Sequence, residues 1–386
     1  MIDFEKVYEE MRPYRDEEIA GAMSRILKEQ AFYPVLHYVY PNRSLEESLK
    51  EMGAIKSIYD FQSKFSKIAV EEVLNKTATS FSYSGVENLD KETSYLFISN
   101  HRDIVLDSAI LQCVLLNNGH RTTQITFGSN LMSSQFIIDI GKVNKMFTFY
   151  RGGSRVDIYR NALIHSAYIK KVLTEENESA WIAQRDGRTK DGYDKTQISL
   201  LKMLTIKEKD HIAALKKFNI CPVSISYELE PCDIYKVRER LASAEEEYVK
   251  EKDEDFNSIL NGIVGTKGRV HIAFGKPVNC FIDENIDELD NNNIHQKVCD
   301  EMDRQIWLNY QLNPFNYVAY DILNTSQQNM GAKYSEQDID DFYDLIDQKV
   351  SGETDQIRIK KQKDGLLKMY AAPVESYLKV KCEVEG

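Results

Sequence analysis

Asn100, His101, Arg102 and Asp103 close an apolar run in YLFISNHRDIVLDSAIL, residues 95–111, and Asp107 lies four residues further on. A histidine beside two carboxylates is suited to general-base chemistry. A neutral imidazole takes a proton on one ring nitrogen, while a carboxylate on the other fixes its tautomer and orientation. Asp103 is placed to cap the next helix, with Ile104 and Val105 inside it. Helical side chains lean toward the helix N-terminus, so Asp107 leans back on His101 and is the preferred partner, with Asp103 the other candidate. Basic residues gather at two more points. Arg151 and Arg155 lie in FYRGGSR beside Gly152 and Gly153, which let backbone amides approach an anion. Arg185, Arg188 and Lys190 surround Gly187 and Gly192 in QRDGRTKDG, residues 184–192. Guanidinium forks match phosphate oxygens in pairs. In a chain of formal net charge −12, such clusters read as an anion site.

All three groups come after short apolar runs of β character, and ligands of open α/β sheets bind beyond the carboxyl ends of the strands. Strands are predicted in YLFISN, TTQITFGSN, FTFYRGG, SAWIAQR, ICPVSISYE and GRVHIAFGKPV, with a further one in SFSYSGVENLD. Between them fall helical stretches such as DIVLDSAILQCVLLNN and RVDIYRNALIHSAYIKKVLTE. This alternation predicts an α/β sandwich. Residues 1–75 read as helices, with Ile19, Met23 and Ile26 and then Ile58, Phe61 and Phe65 at three-to-four spacing. The pattern is helical again beyond residue 281. The expected divisions are a helical region over 1–75, an α/β domain over 76–280 and a helical region over 281–386. Residues 233–263 read as a charged helical insertion with a solvated face.

The acidic balance argues against nucleic acid as a partner. The six cysteines are scattered without zinc spacing, so no metal role is expected. The first residues are charged and lack a signal-peptide core, and no apolar run approaches the roughly 18–20 residues of a membrane span. The expectation is a cytoplasmic protein, soluble or peripheral on the inner face of the membrane. The segment FIIDIGKVNKMF, 136–147, reads as a helix packed on the sheet, with an open apolar surface as the other reading.

The four segments, in this order, resemble the glycerolipid acyltransferase family, which includes the glycerol-3-phosphate and 1-acylglycerol-3-phosphate (lysophosphatidic acid) acyltransferases. SNHRDIVLD resembles its His-x4-Asp block, FGSNL (127–131) with FYRGG (149–153) its second, RDGRTKDG its third and CPVSISYE its fourth. The resemblance spans roughly residues 85–280. It implies a mixed central sheet flanked by helices, with helical N-terminal and C-terminal additions. It implies His101 as general base, oriented by Asp107 or Asp103. Asn130, Arg151, Gly187, Arg188 and Lys190 would bind a phosphate-bearing lipid acceptor, with Arg155 the weaker candidate. The donor would be an acyl thioester, acyl-CoA or acyl carrier protein, with no cofactor, and the membrane surface would be a peripheral partner. Two positions depart from the pattern. The family aspartate falls on Leu106, one residue before Asp107, and its third-block glutamate falls on Arg185, one residue before Asp186. An acyltransferase acting on an amino-acid lipid and a non-catalytic lipid or acyl-carrier binder are the alternatives.

Overall fold

The computed structural model describes residues 3–245 and 254–385. Among the described residues seven strands form one sheet: Ala78–Ser84 (β1), Leu96–Ser99 (β2), Gln124–Gly128 (β3), Met146–Phe149 (β4), Ala180–Ala183 (β5), Ile220–Tyr227 (β6) and Gly268–Phe274 (β7). Their order is β1-β7-β6-β2-β5-β3-β4. Of these pairs only β6–β7 is antiparallel, so the sheet is mixed. The five strands from β6 to β4 point the same way. The segments that leave their carboxyl ends, at residues 100, 129, 150, 184 and 228, therefore gather on one edge.

Strand residues alternate between faces, and the helices cover both. Leu96 and Ile98 of β2 join Phe147, Ile182, Ile164, Val172 and the helix Ile294–Asn309 on one face. Phe97 turns to the other, against Ile110 and Val114 of the helix Leu106–Asn117 and edge-on to Phe274 at 5.7 Å. The terminal helical regions share these cores: Met11 and Met302 both lie in the first.

The helix Gln135–Val143 does not pack mainly on the sheet. Phe136, Ile140 and Val143 join Ile19, Met23, Phe61 and Phe65 of the N-terminal helices, and Asp139 ties it to Arg25 at 2.8 Å. Its apolar face is thus spent on internal packing. The insertion after residue 233 also differs from a solvated face. In the helix Asp233–Glu245, Ile234 and Val237 pack into a C-terminal cluster with Phe342, Leu366 and Met369. The helix Glu254–Val264 brings Gly262 so close to Asp103 that a Cβ there would meet Oδ2 at 2.1 Å. The charges that suggest solvent exposure are partly turned inward, onto a polar centre made by residues distant in the chain. The rest of that charged run, 246–253, lies outside the described residues.

Candidate active site

β2 ends at Ser99, and Asn100 fixes the chain as it leaves the strand. Its side chain donates to Ile225 O at 2.9 Å and accepts from Ile225 N at 2.7 Å, locking the turn onto β6. His101 comes next, one side of its ring edge-on to Trp181. Its Nδ1 lies 2.9 Å from Oδ2 of Asp107, which is wholly buried. The same oxygen accepts from Arg102 N at 2.6 Å and Asp103 N at 2.9 Å, and Oδ1 accepts from the Tyr227 hydroxyl at 2.8 Å. Three other donors therefore hold Asp107 as an acceptor, and Nδ1 meets it as an N–H. The remaining nitrogen, Nε2, then carries the lone pair that can accept a proton.

Asp103 does not touch the imidazole. Its Oδ1 accepts from Val105 N and Leu106 N at 2.9 and 2.8 Å. The regular helix starts at Leu106, later than direct capping by Asp103 implies, and residues 103–105 form a turn. That turn absorbs the additional residue between His101 and Asp107. Burial raises the proton affinity of Asp103, and the neighbouring Asp107 charge adds to it.

Sequence spacing does not single out Arg102, yet among the described residues it is the largest fully buried side chain. Nη1 donates to Glu230 at 2.7 Å, Nη2 to Gly192 O at 3.0 Å, and Nε and Nη2 both reach Asp194. Lys236, also fully buried, donates to Arg102 O at 2.6 Å and pairs with Glu230. Burial opposes the Arg102 charge, but Asp194 and Glu230 outweigh it and hold the proton far more tightly than usual. Thr189 completes the tie: its N–H donates to His101 O at 2.7 Å and its hydroxyl to Asp194 at 2.7 Å. Gly192, at φ +84°, fits only without a side chain, since a Cβ would lie 2.2 Å from Met369 O.

His101 opens on a cavity of ≈170 Å³ whose wall includes Asn130, Arg151, Gly187, Arg188 and Lys190. These sequence candidates are thus brought together. Arg155 is not: it is exposed at the start of the helix Arg155–Thr174 and does not line this cavity. Lys190 is committed to Glu239, which lines the same cavity. Arg188 lies against the Cys232 thiol and, among the described residues, its Nη1 is buried without a hydrogen-bond partner. Arg151 pairs with the exposed Asp186 at 2.8 Å. A second cavity of ≈450 Å³ adjoins the first, sharing Thr126, Gly128, Arg151 and Ala183 as walls. Among the described residues no cluster of three or more His, Cys, Asp or Glu side chains could hold a metal, and no helix is long and apolar enough to cross a membrane.

No family model matches the chain, and no curated protein sequence matches it. Among solved structures it is similar to the 1-acyl-sn-glycerophosphate (LPA) acyltransferase PlsC from Thermotoga maritima. The sequence identity is 15% and the TM-score 0.35, with 75% of this chain and 93% of that one covered. A likeness of that degree carries no weight for the chemistry, which rests on the residues themselves.

Proposed function

We propose that the protein is an acyltransferase that moves a fatty acyl group from a thioester, acyl-CoA or acyl carrier protein, to a hydroxyl of a glycerol-phosphate-type acceptor. The observation that carries this reading is the His101–Asp107 pair at the wall of a cavity that also holds a guanidinium nitrogen without a hydrogen-bond partner among the described residues. Nε2 takes the acceptor's hydroxyl proton as that oxygen attacks the thioester carbonyl carbon. Asp107 stabilises the imidazolium that forms. The tetrahedral intermediate then collapses, the C–S bond breaks, and His101 returns its proton to the departing sulfur, giving an ester and a free thiol. General-base assistance of this kind supplies about 10²–10⁴ in rate. Arg151, which lines both the cavity of His101 and its larger neighbour, supplies positive charge for the acceptor's phosphate. The four donors on Asp107 count against a merely binding role, since they prepare an oriented base.

Glu239 in the cavity wall favours a second reading, in which the acceptor carries an ammonium group, as an amino-acid lipid does. Purified protein given long-chain acyl-CoA or acyl carrier protein is expected to release free thiol with glycerol-3-phosphate or lysophosphatidate. Release that persists unchanged in His101→Ala would overturn the reading, and mass spectrometry of the lipid product over a panel of acceptors separates the two acceptor classes. Peripheral membrane contact belongs to the same proposal: Val156, Ile158 and Tyr159, 75%, 57% and 56% exposed, stand together at the start of the helix Arg155–Thr174. Failure to co-sediment with phospholipid vesicles would remove it.

A further inference from the structure

We propose that the acceptor's anionic head group sits in the larger cavity, with Arg185 as its principal ligand, while its hydroxyl reaches His101 across the shared wall. The inference rests on the acyl-transfer reading and adds a residue and a cavity to it. The cavity that holds His101 is ≈170 Å³, below the roughly 300–1,000 Å³ of typical small-molecule sites, whereas its neighbour, at ≈450 Å³, falls within that range. Charge points the same way. In the smaller cavity Lys190 is already neutralised by Glu239, whose side chain is only 13% exposed, so a dianionic phosphate there would meet a held carboxylate.

The larger cavity is differently furnished. Arg185 and Arg151 both line it, with Asn161 and Gln197 as further polar groups. Among the described residues, Nε of Arg185 is buried without a partner, and its Nη1 makes only a 3.5 Å contact to Tyr193 O. A charged donor left unpaired costs stability unless something else completes it, and a phosphate oxygen is a suitable acceptor. One carboxylate, Asp186, also lines this cavity, paired with Arg151, but it is 76% exposed and free to turn to solvent. His165, kept neutral by burial, adds no charge of its own, so the cavity's positive charge comes from Arg185 and Arg151. Arg185 also stands where the resemblance would put a glutamate, so the arginine gives this chain a cation where an acid is expected.

The test measures binding and turnover separately. Titration calorimetry with inorganic phosphate, glycerol-3-phosphate and lysophosphatidate is run on the wild-type chain, Arg185→Met, Arg185→Lys and the control Arg155→Ala. Arg185→Met is expected to weaken the glycerol-3-phosphate and lysophosphatidate affinities roughly 10–100-fold, with Arg185→Lys intermediate and Arg155→Ala unchanged. If inorganic phosphate loses the same factor, Arg185 recognises the phosphate itself; loss by the esters with inorganic phosphate unaffected would overturn Arg185 as the phosphate ligand. In turnover, the acceptor KM should rise while the donor KM holds. Equal binding by wild type and Arg185→Met, or a rise confined to the donor KM, would overturn the assignment. Absence of any turnover in the wild type would count against acyl transfer instead, and the binding titration would still decide the cavity. Thermal melting of Arg185→Met guards against a folding defect in that variant.

Discussion

Asp107→Asn tests the proposed base most directly, because the surroundings dictate how the new side chain must sit. Arg102 N and Asp103 N both point at the Oδ2 position, at 2.6 and 2.9 Å, so the amide's carbonyl oxygen is held there. Its nitrogen then faces the Tyr227 hydroxyl, whose oxygen can accept. His101 Nδ1–H still finds an acceptor and keeps its tautomer; what is lost is the negative charge that stabilises the imidazolium. A hydrogen bond to a charged group is worth about 1.5–3 kcal/mol, which converts to roughly 10–150-fold in kcat. If the amide were reversed, the wrong tautomer would be favoured and the fall would approach about 10⁴, the size seen in serine-protease triads. Thiol release under saturating substrates measures kcat, and the acceptor KM should hold within a factor of about two, since Asp107 does not line the cavity of His101. Asp103→Asn is the companion. Asp103 makes no contact with the imidazole, so its kcat should stay within roughly fivefold of wild type. Either a mild Asp107→Asn or an Asp103→Asn of equal severity would refute the pairing as the basis of catalysis.

Arg102→Met should cost about 3–5 kcal/mol in urea unfolding, because Asp194 is left buried without its cation. Arg151→Met should raise the acceptor KM about 10-fold, while Arg155→Ala leaves steady-state kinetics unchanged. Acid sensitivity should come in part from His165, lowered from 6.5 to about 3 by burial. The folded form binds fewer protons than the unfolded form in that window, so this stability is complete above pH 6.5 and lost as the pH falls toward 3. At pH 5 the loss is about 2 kcal/mol. His165→Gln keeps an acceptor for Tyr150 N, which now donates to Nε2 at 3.0 Å, and should flatten that part of the pH dependence in urea melts at about pH 7.5 and 5.

Six of the seven strands are legible in the sequence as short runs rich in apolar residues bounded by turn residues, the buried LFIS of β2 the plainest, while the largely exposed β1, ATSFSYS, shows itself by its alternating aromatics and Ser/Thr. Mixed sheet, flanking helices and the gathering of three basic turns on one edge come from that alternation and the resemblance. The contact of Asp107 with His101 is readable because it is local, six residues apart, and stems from the lean of helical side chains. Arg102 is not readable: its carboxylates lie 92 and 128 residues away, and nothing local distinguishes it from a solvated arginine. Glu239 escapes for the same reason. Its neighbours in sequence are charged, and only the inward face formed by Ile234, Lys236 and Val237 turns that helix toward the site. A helix start is misplaced where a side chain caps a turn rather than a helix, as Asp103 does.

The buried group Arg102, Asp194, Glu230 and Lys236 has a consequence for how such a chain can change over generations. Removing any one charge strands its partners in the interior, whereas replacing all four with well-packed apolar residues can be neutral or even favourable. Single substitutions therefore cross a steep valley, and the effects of two or more are strongly non-additive. The four positions form one heritable unit: descendants of this chain should keep all four charges or have exchanged them together, even where the exposed Arg155 has drifted freely.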